Sequence, residues 1–178
     1  MLHGLTAVVT GGSRGIGRAI VERLCRDGAH VVFTYAGEAA DAVVRQVRAA
    51  GGRVRARHAD FADPDGPEQF MAWAEEHLGG LDILVNNAAT AHTPTPLADT
   101  DVAVFDTVMA VNARAVFLTM RYAARHMRDN GRIVNISTSN TTRAAPGIGP
   151  YAASKGAIEQ LAAGAARELG PRGLTVNT

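Results

Sequence analysis

The sequence predicts an α/β fold: a doubly wound parallel sheet with helices on both faces. Two observations predict it. Short apolar, β-branched runs alternate along the whole chain with segments whose apolar residues recur at helical spacing, as repeated βαβ units with right-handed crossovers require. The most distinctive glycine-rich and polar stretches fall just after strands, at the carboxyl edge where such sheets place a ligand crevice. At 178 residues and 47% apolar composition the chain is long enough for one domain with a full core and too apolar for disorder. A net charge of +1 from basic and acidic residues mixed along the chain leaves no basic face, so nucleic acid is not an expected partner. No run is expected to reach membrane-spanning length and no leader is evident, so no membrane partner is expected. A single cysteine, Cys25, excludes an internal disulfide and suits a reducing compartment, the cytoplasm. The six histidines lack metal-ligand spacing, so no metal is expected.

Taken in order, Leu5 to Thr10 reads as a buried strand and Gly11-Gly12-Ser13-Arg14-Gly15-Ile16-Gly17 as a tight turn. A helix follows over Arg18 to Arg26, with Ile20, Val21 and Leu24 on one side. Strand, glycine-rich turn and helix in that order form a phosphate-binding arrangement. Gly11 permits the turn, Gly15 removes a side chain where a dinucleotide must approach, and Gly17 lets the helix lie close on the strand. The second unit is Val31 to Thr34 and a helix from about Ala39 to Ala50. An acidic residue closing that strand would bind ribose hydroxyls and repel a 2′-phosphate; Tyr35-Ala36-Gly37 stands there instead. Arg14 is either a cation for the same ribose or a solvated surface arginine; with the uncharged strand end it favours NADP(H) over NAD(H).

Arg53 to His58 is the third strand, ending at Asp60-Phe61, where Asp60 could accept an adenine amino group or merely hold a turn. Pro67 to Leu78 is an amphipathic helix with Trp73 expected in the core. Leu81 to Val85 is the fourth strand. In Asn86-Asn87-Ala88-Ala89 the small residues let a ligand pass while the amides tie neighbouring strands. His92 lies in the Thr90 to Pro96 loop and reads as solvated. Thr100 or Asp99 would cap a long helix to about Arg128, and Asn112 midway marks a kink or a side-chain task. Arg132 to Ile136 is the fifth strand. After a polar loop over Ser137 to Pro150, Pro150 starts a helix to about Leu169, and Leu174 to Thr178 begins a sixth strand.

That last helix carries Tyr151 and Lys155, four residues apart and so on one face. Free tyrosine titrates near about 10, so the phenol is a slow donor at neutral pH. A fixed cation favours phenolate, and a shift of ~3 units needs ~4 kcal/mol of differential stabilisation. The pair alone is weak; beside a cofactor site it is a proton donor with its pKa adjuster.

Together T-G-G-S-R-G-I-G at Thr10 to Gly17, N-N-A at Asn86 to Ala88, Asn112 in V-N-A, and Y-A-A-S-K at Tyr151 to Lys155 resemble the short-chain dehydrogenase/reductase family, its single-domain branch. Tyr35-Ala36-Gly37 and Arg14 are similar to NADPH-dependent 3-oxoacyl-acyl-carrier-protein reductases. The resemblance implies a Rossmann-type dinucleotide-binding domain over residues 1–178 and a small-molecule carbonyl or alcohol substrate. It also implies a homo-oligomer and a cofactor site drawing on Gly11, Ser13, Arg14, Gly15, Ile16, Gly17, Tyr35, Asp60, Phe61, Asn86, Ala88, Tyr151 and Lys155. By position Tyr151 is the general acid, Lys155 holds the nicotinamide ribose and lowers the tyrosine pKa, and Asn112 holds a water linking Lys155 to solvent. Thr138, with Ser139 as the fallback, replaces the family serine that binds the substrate oxygen, and Ala89 replaces the last glycine of N-N-A-G. Relative to the family the chain is expected to lack the last strand, the proline-glycine turn over the nicotinamide and the substrate lid. Two functions are therefore open: an oxidoreductase reducing a carbonyl to a secondary alcohol, and a catalytically silent fragment that binds dinucleotide or self-associates. In either case cofactor binding is expected to survive better than turnover.

Overall fold

The computed structural model describes residues 1–37 and 40–178. Six parallel strands form one sheet: β1 (Thr6–Val9), β2 (His30–Tyr35), β3 (Arg53–His58), β4 (Ile83–Asn86), β5 (Arg132–Asn135) and β6 (Thr175–Asn177), in the order β3-β2-β1-β4-β5-β6. The helices are α1 (Gly15–Arg26), α2 (Ala40–Ala49), α3 (Gly66–Leu78), α4 (Val102–Met109), α5 (Ala115–His126) and α6 (Gly149–Leu169). The order reverses between β1 and β4, which opens the crevice at their carboxyl ends. The expected start of the second helix at Ala39 lies outside the described residues.

Strand alternation splits the core in two. Ala7, Val9, Val31, Phe33, Ile83 and Val85 point to one face, against Val21 and Cys25 of α1 and Val43 and Val47 of α2. Val8, Val32, Leu84 and Ile133 point to the other, against Phe70, Met71 and Ala74 of α3, Ala115, Val116 and Met120 of α5, and Ile158 of α6. Both faces are buried, which is why the strands read as continuous apolar runs rather than alternating ones. Cys25 packs as expected, and burial pushes its thiol up to about 11.

Four local expectations need correction. The cap of the long helix is Asp101, whose Oδ1 accepts Ala103 N–H at 2.8 Å; Leu97–Asp99 is instead a 3₁₀ turn, and Thr100 donates back to Pro96 O. Trp73 is only half-buried, because Phe70 takes the interior; its ring stacks on His77 at 4.3 Å and lies under the Arg57 guanidinium. His92 is only partly solvated: Nδ1 sits 2.8 Å from Thr93 O and Nε2 is buried without a partner among the described residues. The continuous helix Val102–His126 is long and apolar enough to cross a membrane by length and composition alone, because charges are sparse between Asp106 and Arg121. Its inner face is nevertheless buried at Val108, Ala115, Val116, Thr119 and Ala123.

Beneath the crevice the sheet carries a buried polar cluster. Asn86 Nδ2 donates to Asn135 Oδ1 at 2.8 Å and Thr119 Oγ1 donates to Asn86 Oδ1 at 2.7 Å, all three residues buried. Truncating Asn86 strands Asn135 Oδ1 in a dry interior, while Thr119 Oγ1 keeps a second acceptor in Val116 O at 2.9 Å. Asn86→Ala is expected to lower unfolding free energy by ~1–3 kcal/mol, since it leaves a buried acceptor on Asn135 unpaired. Urea denaturation would measure it, and a loss too small to resolve would contradict the bonding pattern.

Candidate active site

The glycine turn hangs between two strands. Gly11 N–H donates to Thr34 Oγ1 at 2.8 Å and Gly12 N–H to Thr34 O at 2.8 Å, both at the end of β2. From the other side, Asn87 Nδ2 donates to Thr10 O at 3.0 Å and Gly11 O at 2.9 Å, while Asn87 and Ala88 N–H share Thr10 Oγ1. Gly11 has φ +69° and lies so near Ala88 that a side chain would meet its Cα at 3.0 Å. A Cβ on Gly17 would lie 2.1 Å from Gly11 O, so only glycine lets α1 start this close to the strand. Gly15 differs: a Cβ there would meet nothing within 4 Å and would project into the open cradle. The first turn of α1 has no side-chain cap and no acidic residue, and Arg14 at its N-cap is exposed. Free N–H groups, a positive dipole end and an adjacent guanidinium fit the phosphates of a dinucleotide.

The other expected cofactor residues lie at or just after the carboxyl ends of β1 to β4, with differing exposure. The Asn86 side chain is spent inside the sheet, and Asn87 is the amide that reaches the turn. Phe61 is a core residue packed on Phe70, so only its main chain could face a ligand. Asp60 is exposed and its Oδ1 holds its own turn by accepting Ala62 N–H at 2.8 Å. Tyr35 ends β2 edge-on to His58 at 5.6 Å; Ser13 is half-buried and Ile16 is 63% exposed over the turn. Thr10 and Thr34, which do much of the suspending, were not singled out by the sequence reading. A hydroxyl residue at the end of each of the first two strands was the available signal.

On the other side of the switch point stand Tyr151 and Lys155, where helical spacing puts them. Lys155 is only 2% exposed. Its Nζ donates to Ile136 O at 2.7 Å and lies 5.9 Å from the centre of the Tyr151 ring. Burial holds the amine below its ordinary value, since the interior disfavours the charged form. The Ile136 carbonyl opposes that loss by accepting from the ammonium. Thr138 caps the 3₁₀ turn Ser139–Thr141: its Oγ1 accepts Asn140 N–H at 3.3 Å, which leaves the hydroxyl proton to donate. Ser139 is exposed.

Asn112 lies in a π-turn (Ala110–Arg114) that joins α4 to α5. Such a turn is rare and is frequent at functional sites. The side chain is fully engaged: Oδ1 accepts Thr90 N–H at 2.8 Å, and Nδ2 donates to Thr90 O at 2.8 Å and Ser154 Oγ at 3.1 Å. Both amide protons are thus committed, and a water on this residue would have to donate to an oxygen. Ser154 Oγ donates in turn to Tyr151 O at 2.7 Å, so Asn112 also steadies the turn of α6 that bears the tyrosine.

A family model described as short chain dehydrogenase matches residues 5–178. Versicolorin reductase 1 of Aspergillus parasiticus is 41% identical over 180 residues, covering 99% of this chain and 68% of that protein. A dehydrogenase/reductase from Sinorhizobium meliloti superposes with a TM-score of 0.94 at 52% identity, covering 99% of this chain and 71% of that one. A short chain dehydrogenase from Burkholderia cenocepacia, solved in complex with NADP, gives 0.95 at 46% identity, covering 99% and 73%.

Lys155 is the only lysine in the sequence. Carbon-13 labelling of lysine therefore gives a single side-chain signal to titrate. In the folded protein the amine is expected to titrate below its value in urea. The unfolded chain then holds more protons between the two values, so stability should rise with pH through that window. A folded-state midpoint at or above the unfolded one would contradict the site.

Proposed function

The chain belongs to the short-chain dehydrogenase/reductase family of NAD(P)-dependent oxidoreductases, and we propose that it reduces a carbonyl, a 3-oxoacyl group or similar ketone, to a secondary alcohol with NADP(H). The observation that carries the proposal is the buried amine of Lys155 held beside the Tyr151 ring, at the same sheet edge as a suspended glycine turn. Residues 1–178 act in it as one dinucleotide-binding domain. The nicotinamide supplies the hydride to the carbonyl carbon. The uncapped first turn of α1 and the open face at Gly15 take the pyrophosphate, and Arg14 takes the ribose 2′-phosphate. The bound NADP of the Burkholderia relative supports that choice of cofactor.

The Tyr151 phenol gives its proton to the oxygen as the carbon is reduced, and in the reverse direction the phenolate takes it back. Lys155, whose amine donates to the Ile136 carbonyl, favours as an ammonium the phenolate that the donation leaves behind. It also holds the nicotinamide ribose. Thr138 donates its hydroxyl proton to the same oxygen and so shares the developing negative charge. Asn112 keeps the Tyr151 turn in place and offers an oxygen to a water that resupplies Lys155.

Fluorescence titration with NADPH followed by NADPH oxidation over a carbonyl panel tests the reading. Tight binding with no turnover on any carbonyl would overturn it. Tyr151→Phe is expected to lower kcat by ~10²–10⁴ while NADPH affinity stays within a few-fold. Activity that survives the change would remove Tyr151 as the donor. Arg14→Ala is expected to weaken NADPH by ~10-fold or more and NADH far less, since one charge-assisted bond contributes ~1.5–3 kcal/mol. Equal losses for both cofactors would place Arg14 away from the 2′-phosphate.

A further inference from the structure

The segment that anchors Lys155 has little main-chain support of its own. Strand β5 ends at Asn135, and Ile136 N–H makes one further bond to Asn86 O at 2.9 Å. Beyond it, the N–H and C=O of Ser137 have no main-chain partner among the described residues, and the next turn begins only at Ser139. A side chain holds this stretch instead. Ser137 Oγ donates to Glu159 Oε1 at 2.5 Å, the short distance of a hydroxyl bonded to a carboxylate. Ser137 sits between Ile136, whose carbonyl takes the Lys155 amine, and Thr138, whose hydroxyl caps the following turn. Glu159 lies one helical turn past Lys155 and two past Tyr151, on the same face of α6.

We infer that Glu159 is a positioning residue, which through Ser137 fixes the main chain from Ile136 to Thr138 and so sets both the acceptor of the Lys155 amine and the aim of the Thr138 hydroxyl. One rigid helix then carries three groups of the site. Tyr151 and Lys155 face the reacting atoms, and Glu159 ties down the loop that supplies the remaining two contacts. The kinetic part of the inference rests on the carbonyl-reductase reading; the part concerning Lys155 in the cofactor-free protein does not.

Four variants test it: Glu159→Ala, Glu159→Gln, Ser137→Ala and the Glu159→Ala/Ser137→Ala double variant. Glu159→Ala and Ser137→Ala are each expected to lower kcat by ~10–100-fold, the scale of a small misplacement of reacting groups. The double variant should lose little more than either single one, because the two residues act through one bond. Glu159→Gln, which keeps an acceptor, should recover most of the activity. In cofactor-free protein, the signal of the single lysine should titrate lower in Glu159→Ala and in Ser137→Ala than in the wild type, since a loosened carbonyl favours the ammonium less. Ser137→Ala retains the carboxylate, so a drop there cannot come from lost charge. An unchanged lysine titration in a folded Ser137→Ala protein would overturn the inference, even if thermal stability falls. So would a Glu159→Gln protein as impaired as Glu159→Ala. If the wild type turns over no carbonyl, the functional reading fails while the lysine titration still decides this one.

Discussion

The site depends on keeping one ammonium charged in a place that disfavours it. Lys155 is almost wholly buried, and burial holds its amine below the ordinary value by disfavouring the charged form. A single carbonyl, that of Ile136, opposes this at 2.7 Å. That carbonyl is effectively an extension of the sheet, because Ile136 N–H is tied to Asn86 O of the neighbouring strand. The register of β4 against β5 therefore fixes where the positive charge sits, and α6 fixes how far from it the phenol stands. A cation placed this way is useful to a phenol because the low local dielectric strengthens the interaction that burial makes expensive.

The glycine turn on the other side of the switch point follows the same logic with opposite charge. The N–H groups that face the cradle must stay unpaired to receive an anion, so the turn cannot be stabilised by pairing them with each other. Thr34 and Asn87 hold it from outside instead, using the donors and acceptors that face away from the cradle. Gly17 allows this economy of space, since any side chain there would run into the Gly11 carbonyl. Both halves of the crevice are thus built on backbone groups held from outside, the glycine turn by the side chains of Thr34 and Asn87 and the Ile136 carbonyl through the main chain of β4.

Much of this was legible in the sequence, because periodicity and glycine placement are local properties. The strand-turn-helix opening, the shared face of Tyr151 and Lys155, and the alternation of strands with helices follow from spacing alone. What failed to show was direction at strand ends. Asn86 and Asn87 are adjacent, and only one can face the turn; the sequence does not say where β4 stops pleating. The same one-residue ambiguity separates Asp60, exposed in its turn, from Phe61, packed in the core. Asn112 was visible as an oddity within a helix, but the π-turn that accommodates it depends on its bonds to Thr90 and Ser154, residues far away in the chain. Caps shifted for a related reason: Asp99, Thr100 and Asp101 are all competent, and the 3₁₀ turn that decides among them is set by the docking of the preceding loop, where Thr95 N–H reaches Gly147 O.

The polar interior below the crevice shows where function and stability diverge. Asn86, Thr119 and Asn135 occupy positions that apolar residues would fill at lower cost, and Asn135 Nδ2 is left without a partner among the described residues. An unpaired buried donor costs ~1–3 kcal/mol. Apolar packing is tolerant of small slips, whereas the hydrogen bonds that link β4 to β5 and α5 hold only while Asn86 stays level with Asn135 and Thr119. Since Asn86 also offers its carbonyl to Ile136, any slip of β4 against β5 would move the acceptor of the Lys155 ammonium. The polar cluster therefore contributes less to holding the sheet together than to specifying its register, and the register is what the buried charge requires.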